Sequence, residues 1–379
     1  SIIIPESVTE ICDGAFCGCR KLRTITIPES VTKIGVGAFE QCEALTSIII
    51  PESVTEICDG AFCGCRKLTI IIVDKGNKVY DSRNNCNAII ETKTNRLIQG
   101  CANTVIPETV TEIGSWAFCG FKELKSITIP ESVTKIGEHA FERCRNLKRV
   151  TTPNSVTEIG DWAFSLCCEM KRITIPNSVT KIGNGAFYRC LALTSINIPE
   201  YVTEIGENAF MECEAMTSIN IPESVTKIGK EAFKGCTALT SITIPNSVTE
   251  IGENALLGCM ALASITIPNS VTEIGNRAFS EFQSLKNVII PNSVTKIGEE
   301  AFSECYALTS INIPNSVTEI GNRAFWWCKA LKNVIIPNSV TKIGKGAFRR
   351  SGMISITIPN SMTKIGEKAF SKCGKLTSV

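Results

Sequence analysis

The stretch Ser241-Ile-Thr-Ile-Pro-Asn-Ser-Val-Thr-Glu-Ile-Gly-Glu-Asn-Ala-Leu-Leu-Gly-Cys-Met-Ala-Leu-Ala263 decides how the whole chain is read, because close copies of it recur nearly end to end. All fifteen prolines fall in its fifth column: Pro5, Pro28, Pro51, then Pro107 to Pro337 in steps of 23, then Pro359. Self-similarity at such a period marks a stack of identical structural units, each unable to bury its apolar face alone. The sequence thus predicts a solenoid of about sixteen coils of 23 residues.

Columns are numbered from Ser241. Columns 2 and 4 (Ile242, Ile244) alternate with polar neighbours, the period of a short strand. Proline at column 5 has no N–H for a ladder and closes that strand. Asn-Ser or Glu-Ser then turns the chain. Val at 8 and Ile at 11 suit a chain rounding a corner. Glycine fills column 12 in thirteen repeats, which predicts a positive φ there; Cys12 and Cys58 depart from it. Ala at 15, Phe at 16, Cys at 19 and Leu at 22 fall three to four apart, the spacing of a single helical turn.

Column 10 reads Glu10, Lys33, Glu56, then Glu112, Lys135, Glu158, Lys181, Glu204, Lys227, Glu250, Glu273, Lys296, Glu319, Lys342, Lys364. Parallel, in-register stacking about 4.8 Å apart favours such alternation. Only 250/273 and 342/364 break it. Duplication of a 46-residue double repeat also accounts for the pattern, since residues 1–22 and 47–68 are identical.

The repeat lapses between Pro51 and Pro107. Thr69-Ile-Ile-Ile-Val73 keeps the strand, 74–86 reads as loop, and Asn87–Glu91 with Arg96–Gly100 forms a β-hairpin. The chain divides as one solenoid: three regular repeats (1–69), a variant repeat (70–102), twelve regular repeats (103–377) and the start of another (378–379). Pairing Glu91 with Arg96 places Ile90 opposite Leu97, Ile89 opposite Ile98, and Cys86 opposite Cys101, a spacing that fits a disulfide.

The motif Ser-Ile-Thr-Ile-Pro-Asn-Ser-Val-Thr-Glu-Ile-Gly-x-x-Ala-Phe-x-x-Cys-x-x-Leu resembles the leucine-rich repeat of the BspA-like surface protein family. The block 70–102, with Gly-Asn-Lys-Val-Tyr and Asn-Ala-Ile-Ile-Glu-Thr, resembles that family's variant unit. The resemblance implies a curved solenoid with a parallel sheet on its concave face and short helical turns and extended segments on its convex side. It also implies a surface protein that adheres to host proteins or other cells, with no catalytic residues to carry over.

Composition narrows the function further. The formal charge is +2, from 39 basic and 37 acidic residues. No basic run, arm or stripe is visible, which argues against nucleic acid or an anionic membrane as partner. No apolar run reaches the length of a membrane span. Of 20 cysteines, twelve share column 19 with Phe121, Phe282 and Ser351; a column that accepts Phe is a packing position. Cys12, Cys17 and Cys19, repeated as Cys58, Cys63 and Cys65, lack a fourth ligand for zinc, so no metal or cofactor is expected. The single histidine, His139, sits in a variable column and reads as a surface residue without a role; no base is in place to activate a nucleophile. The chain is therefore expected to be no enzyme.

Two binding faces are expected. Columns 23, 1 and 3 (Thr194-Ser195-Asn197, Thr217-Ser218-Asn220, Thr240-Ser241-Thr243) form a flat hydroxyl-rich surface suited to a glycan or peptide, although β-branched Thr is also simply favourable in strands. Large side chains gather in columns 14, 17 and 18: Trp116, Trp162, Tyr188, Met211, Trp326 and Trp327, residue types that anchor protein interfaces. The expected function is adhesion or protein binding at a cell surface or after secretion. The alternatives are a spacer or filament segment, or an intracellular scaffold. Bare strand edges at Ser1 and Val379 predict end-to-end self-association.

Overall fold

A computed structural model describes residues 2–378. The chain is a leucine-rich-repeat β-solenoid of about sixteen turns with almost no helix. It falls into two compact units, Ser1–Ala192 and Leu193–Val379.

Most regular coils carry two strands. On the strand face, columns 1 to 3 pair in parallel with the next coil: Ser126–Thr128 with Arg149–Thr151 in the first unit, and Ser195–Asn197, Ser218–Asn220 and Ser241–Thr243 in the second. At the corner, columns 10 and 11 form two-residue strands rather than a bare turn, such as Glu112–Ile113, Lys135–Ile136 and Glu158–Ile159. Their registers set Glu10 beside Lys33 and Lys33 beside Glu56, and Glu319 beside Lys342. Lys33 Nζ lies 3.2 Å from Glu56, and Lys342 Nζ 2.6 Å from Glu319. Opposite charges are register neighbours where the sequence alternates, and several close to ion-pair distance, as Lys135 on Glu158 and Lys227 on Glu204.

The interior follows the columns. Val8-type, Ala15-type and Phe16-type positions are fully buried in the inner coils, as at Val133, Ala140 and Phe141. Column 16 rings stack coil upon coil, Phe118 on Phe141 at 5.0 Å and Phe302 on Phe325 at 5.5 Å between centroids. Serine at column 7 donates to the column 8 carbonyl of the preceding coil, as Ser132 to Val110 at 2.6 Å. Column 19 thiols do likewise for column 16: Cys144 Sγ reaches Phe118 O at 2.9 Å, and Cys236 reaches Phe210 O at 3.2 Å. The thiols add a second donor to carbonyls that already accept an amide, Phe118 O from Phe121 N at 3.4 Å and Phe210 O from Cys213 N at 3.2 Å.

The expected helical turn on the far side does not form. Amides of columns 15, 17 and 19 bond back three residues, as Ala140 to Gly137, Glu142 to His139 and Cys144 to Phe141. Those of columns 14, 16 and 18 instead donate to the next coil, as His139 to Asp161, Phe141 to Ala163 and Arg143 to Ser165. A helix would direct every amide back four residues within the coil. Positive φ at columns 14 and 18, 54° at His139 and 60° at Arg143, swings alternate amides outward. The result is a third ladder, here called the turn face.

The column 12 glycines are explained by space and not by φ. None has a positive φ. A Cβ at Gly137 would stand 2.7 Å from the backbone nitrogen of Ser115 in the preceding coil, and one at Gly160 2.7 Å from Gly137 C. Cys58 keeps its amide in register on Ile34 O at 2.9 Å and turns its thiol to Glu56.

The variant repeat substitutes for a coil by other means. Ile70–Val73 extends the strand face from Ser47–Ile50. Tyr80 hydroxyl receives the Ile57 amide at 2.9 Å, and buried Asn77 bonds Pro51 O and Val54 O. Arg96 continues the corner ladder onto Glu112. The hairpin opens as expected, Arg96 opposite Glu91 and Leu97 opposite Ile90, but a bulge then sets Gln99 opposite Ile89. That slip moves Cys101 away from Cys86. Both stay free and buried, Cys101 Sγ on Asn87 O at 3.5 Å and Cys86 facing Ala88 O, which corrects the expected bridge. The disulfide forms instead between Cys63 and Cys119, 56 residues apart. On the turn face the variant repeat is absent, and Gly64 donates directly to Cys119 O at 2.8 Å.

Candidate functional site

The large side chains of the first unit converge on its turn face. Column 14 runs Gly60, Trp116, His139, Trp162, Gly185, with left-handed backbone throughout (φ 62° at Trp116 and 56° at Trp162). That conformation costs a non-glycine residue about 1–2 kcal/mol. Trp116 and His139 stack at 3.9 Å and 13°, His139 and Trp162 at 6.4 Å and 6°, and Tyr188 meets Trp162 edge-on at 5.5 Å. Glycines bound the row: a Cβ at Gly185 would enter the Trp162 ring, and one at Gly60 would touch Trp116 Cγ.

His139 is therefore not the free surface residue expected from its variable column. It is half-buried between two indoles, and Nδ1 lies 2.6 Å from Glu142 Oε2. Glu142 is only 8% exposed and also faces Arg143 Nε at 3.4 Å. Beside this row opens a hollow of about 330 Å³, lined by Glu40, Asp59, Gly60, Trp116, His139 and Glu142 among others. Arg143 lines it too, Asp59 is paired with Arg96 at 3.2 Å and Glu142 with Arg143 at 3.4 Å, so an indole meets a rim of mixed charge, a setting for an inserted side chain with an apolar body and a polar tip. Trp116, Trp162 and Tyr188 thus join one row through His139; periodicity could have shown this, since Trp116, His139 and Trp162 hold column 14 of three consecutive repeats and Tyr188 column 17 of the next.

Trp326 and Trp327, in the second unit, form a separate cluster. Their rings lie 5.3 Å apart, tilted by 53°. Trp327 is already occupied: Lys329 Nζ stands 4.7 Å and Arg350 5.4 Å from its centroid, with Tyr306 edge-on at 5.7 Å. Tyr306 hydroxyl bonds Glu304, and burial together with that carboxylate pushes its pKa up to about 12. The hydroxyl-rich strand face is partly structural, since Thr217 and Thr240 hydroxyls donate to Thr194 O and Thr217 O.

Among the described residues no group of three or more His, Cys, Asp or Glu side chains could hold a metal ion. Cys63 is bridged and Cys65 binds Phe39 O at 3.2 Å, so the clustered thiols do not converge. No helix is long and apolar enough to cross a membrane.

A family model described as BspA type leucine rich repeat region (6 copies) matches residues 1–94, 89–217, 203–332 and 295–379. Among solved structures, a leucine-rich repeat protein from Bacteroides ovatus is 29% identical over 91% of this chain and 81% of its own, with a TM-score of 0.61. A leucine rich cell surface protein from Faecalibacterium prausnitzii is 28% identical over 99% of this chain and 86% of its own, with a TM-score of 0.48. No curated protein matches.

Proposed function

This chain belongs to the BspA-type leucine-rich repeat family, and on that premise we propose that it is a non-enzymatic adhesion protein, displayed at a cell surface or secreted, that grips protein ligands by the turn face of its first unit. The observation that carries the reading is the Trp116–His139–Trp162 row beside a hollow rimmed by mixed charge. Half-buried aromatics held rigidly next to a pocket are what interface anchors require, and three left-handed residues are strained to present them. Trp326 and Trp327 contribute less, because cations of the chain itself already cover Trp327.

Binding of the labelled chain to intact host cells tests this. Trp116→Ala with Trp162→Ala should weaken attachment roughly tenfold or more, the scale of an anchor's loss. Ser218→Ala with Asn220→Ala should leave it unchanged. The reverse ranking would move the site to the strand face, and no attachment by the wild type would overturn the adhesive reading.

A further inference from the structure

Column 10 obeys charge alternation, but two neighbouring columns of the first unit violate it. Columns 23 and 1 read Lys125, then Lys148-Arg149, then Lys171-Arg172 in three consecutive repeats, all exposed. In the same coils column 10 alternates, with Lys135 Nζ 3.6 Å from Glu158. The Lys148 amide bonds Lys125 O at 2.9 Å, so these two like charges stand one ladder step of about 4.8 Å apart, a spacing that is destabilising. These five cations come from three repeats and form no run in the sequence. The expectation that the chain has no basic stripe is corrected by the stacking.

A second observation falls at the same place. The strand ladder pairs Ser126–Thr128 with Arg149–Thr151, then stops, since 172–174 is no strand. A cleft of about 760 Å³ opens there between 148–152 and 169–174. Thr151, Thr152 and Thr174 line it, and Glu169, 4.0 Å from Lys148 Nζ, is its one carboxylate.

We propose that this face binds a sulfated polysaccharide chain. Cations flank the cleft on both sides, Lys148 and Arg149 on one coil and Lys171 and Arg172 on the next, which suits sulfates carried along a stiff chain of sugars, and guanidinium groups hold sulfate oxygens in pairs. Threonine hydroxyls meet the sugar hydroxyls. An acidic peptide fits less well, since no deep apolar pocket takes an anchoring side chain. Single-stranded nucleic acid would need an aromatic platform, and no aromatic ring lines the cleft. This site is distinct in face and ligand from the aromatic row, so either can fail without the other.

The test is calorimetric titration of the intact chain with a heparin-derived oligosaccharide. Binding should weaken steadily as salt rises toward physiological strength. Arg149→Gln with Arg172→Gln should lower affinity roughly tenfold, the sum of a few exposed ion pairs. Lys286→Gln with Lys332→Gln, the equivalent column in the second unit, should leave it unchanged. Both arginines are exposed, so the melting temperature of the double variant should match that of the wild type. Should it melt lower, Lys125→Gln with Lys148→Gln replaces it in the same titration. The proposal is overturned by no binding at low salt, by binding indifferent to the patch variants, or by equal affinity for the desulfated oligosaccharide, polyglutamate or duplex DNA.

Discussion

A buried thiol such as Cys236 does two jobs at once. It fills a small apolar space and adds a second donor to Phe210 O, which already accepts the Cys213 amide at 3.2 Å. Reading column 19 as packing captured the first job; the second needs the neighbouring coil, which spacing alone does not display. Burial pushes the Cys236 thiol from the ordinary 9.0 up to about 12, and Cys305 to about 12. As pH rises above 9 the unfolded chain releases these protons while the folded chain retains them, so stability falls between about 9 and 12. Denaturant unfolding should be flat in pH below 8 to 9 and drop steeply above, less so with Cys236→Ala and Cys305→Ala combined. A second residue-scale expectation concerns the left-handed positions. Leu166 has a φ of 59°, and Leu166→Ile, equal in volume but β-branched, should lose about 1 kcal/mol or more in denaturant unfolding.

Among elements, the most informative position is the one where column 10 repeats its sign. Glu250–Ile251 and Glu273–Ile274 are not paired, although every regular neighbour pair on either side within the second unit is. The strand face lapses between the same coils, at Ser241–Thr243 and Ser264–Thr266, and Leu256 interrupts the phenylalanine stack. Turn-face bonds persist, as Asn254 to Asn276 O at 3.0 Å. Lys342 and Lys364, the other like pair, remain paired. Repulsion of about 0.2–1 kcal/mol therefore breaks a ladder only where core packing is also weaker. Hydrogen exchange should show Thr272 and Gly275 amides exchanging roughly tenfold faster than Thr295 and Gly298, which bond Thr272 O and Ile274 O across the coils; equal protection would contradict the seam. The stacking register was legible from column 10. The turn face was not, because a three-to-four spacing suits a helical turn as well as a turn with two left-handed residues. Asn, Glu, Arg and even Trp at columns 14 and 18 conceal the conformation that glycine would have announced.

At the scale of the molecule, repetition makes the sequence transparent about architecture and opaque about use. Every regular coil buries the same columns, so function resides in the departures: tryptophans in column 14, cations in columns 23 and 1, and the variant repeat. The Cys63–Cys119 disulfide shows the limit. Its partners lie 56 residues apart, and only the absence of the variant repeat from the turn face makes them neighbours. Closing that loop is worth about 4 kcal/mol in the chain-entropy model, so reduction should lower the melting temperature of the wild type but not of Cys63→Ala with Cys119→Ala.

The central claim is that the first unit's turn face is the contact surface. Oxidative footprinting of the chain bound to intact cells, read residue by residue by mass spectrometry, tests it most directly. Trp116, Trp162 and Tyr188 should be protected severalfold relative to the free chain, on the scale expected of buried interface anchors, with Trp326 and Trp327 unchanged. Protection at Trp326 and Trp327, with Trp116 and Trp162 labelled as in the free chain, would contradict the account.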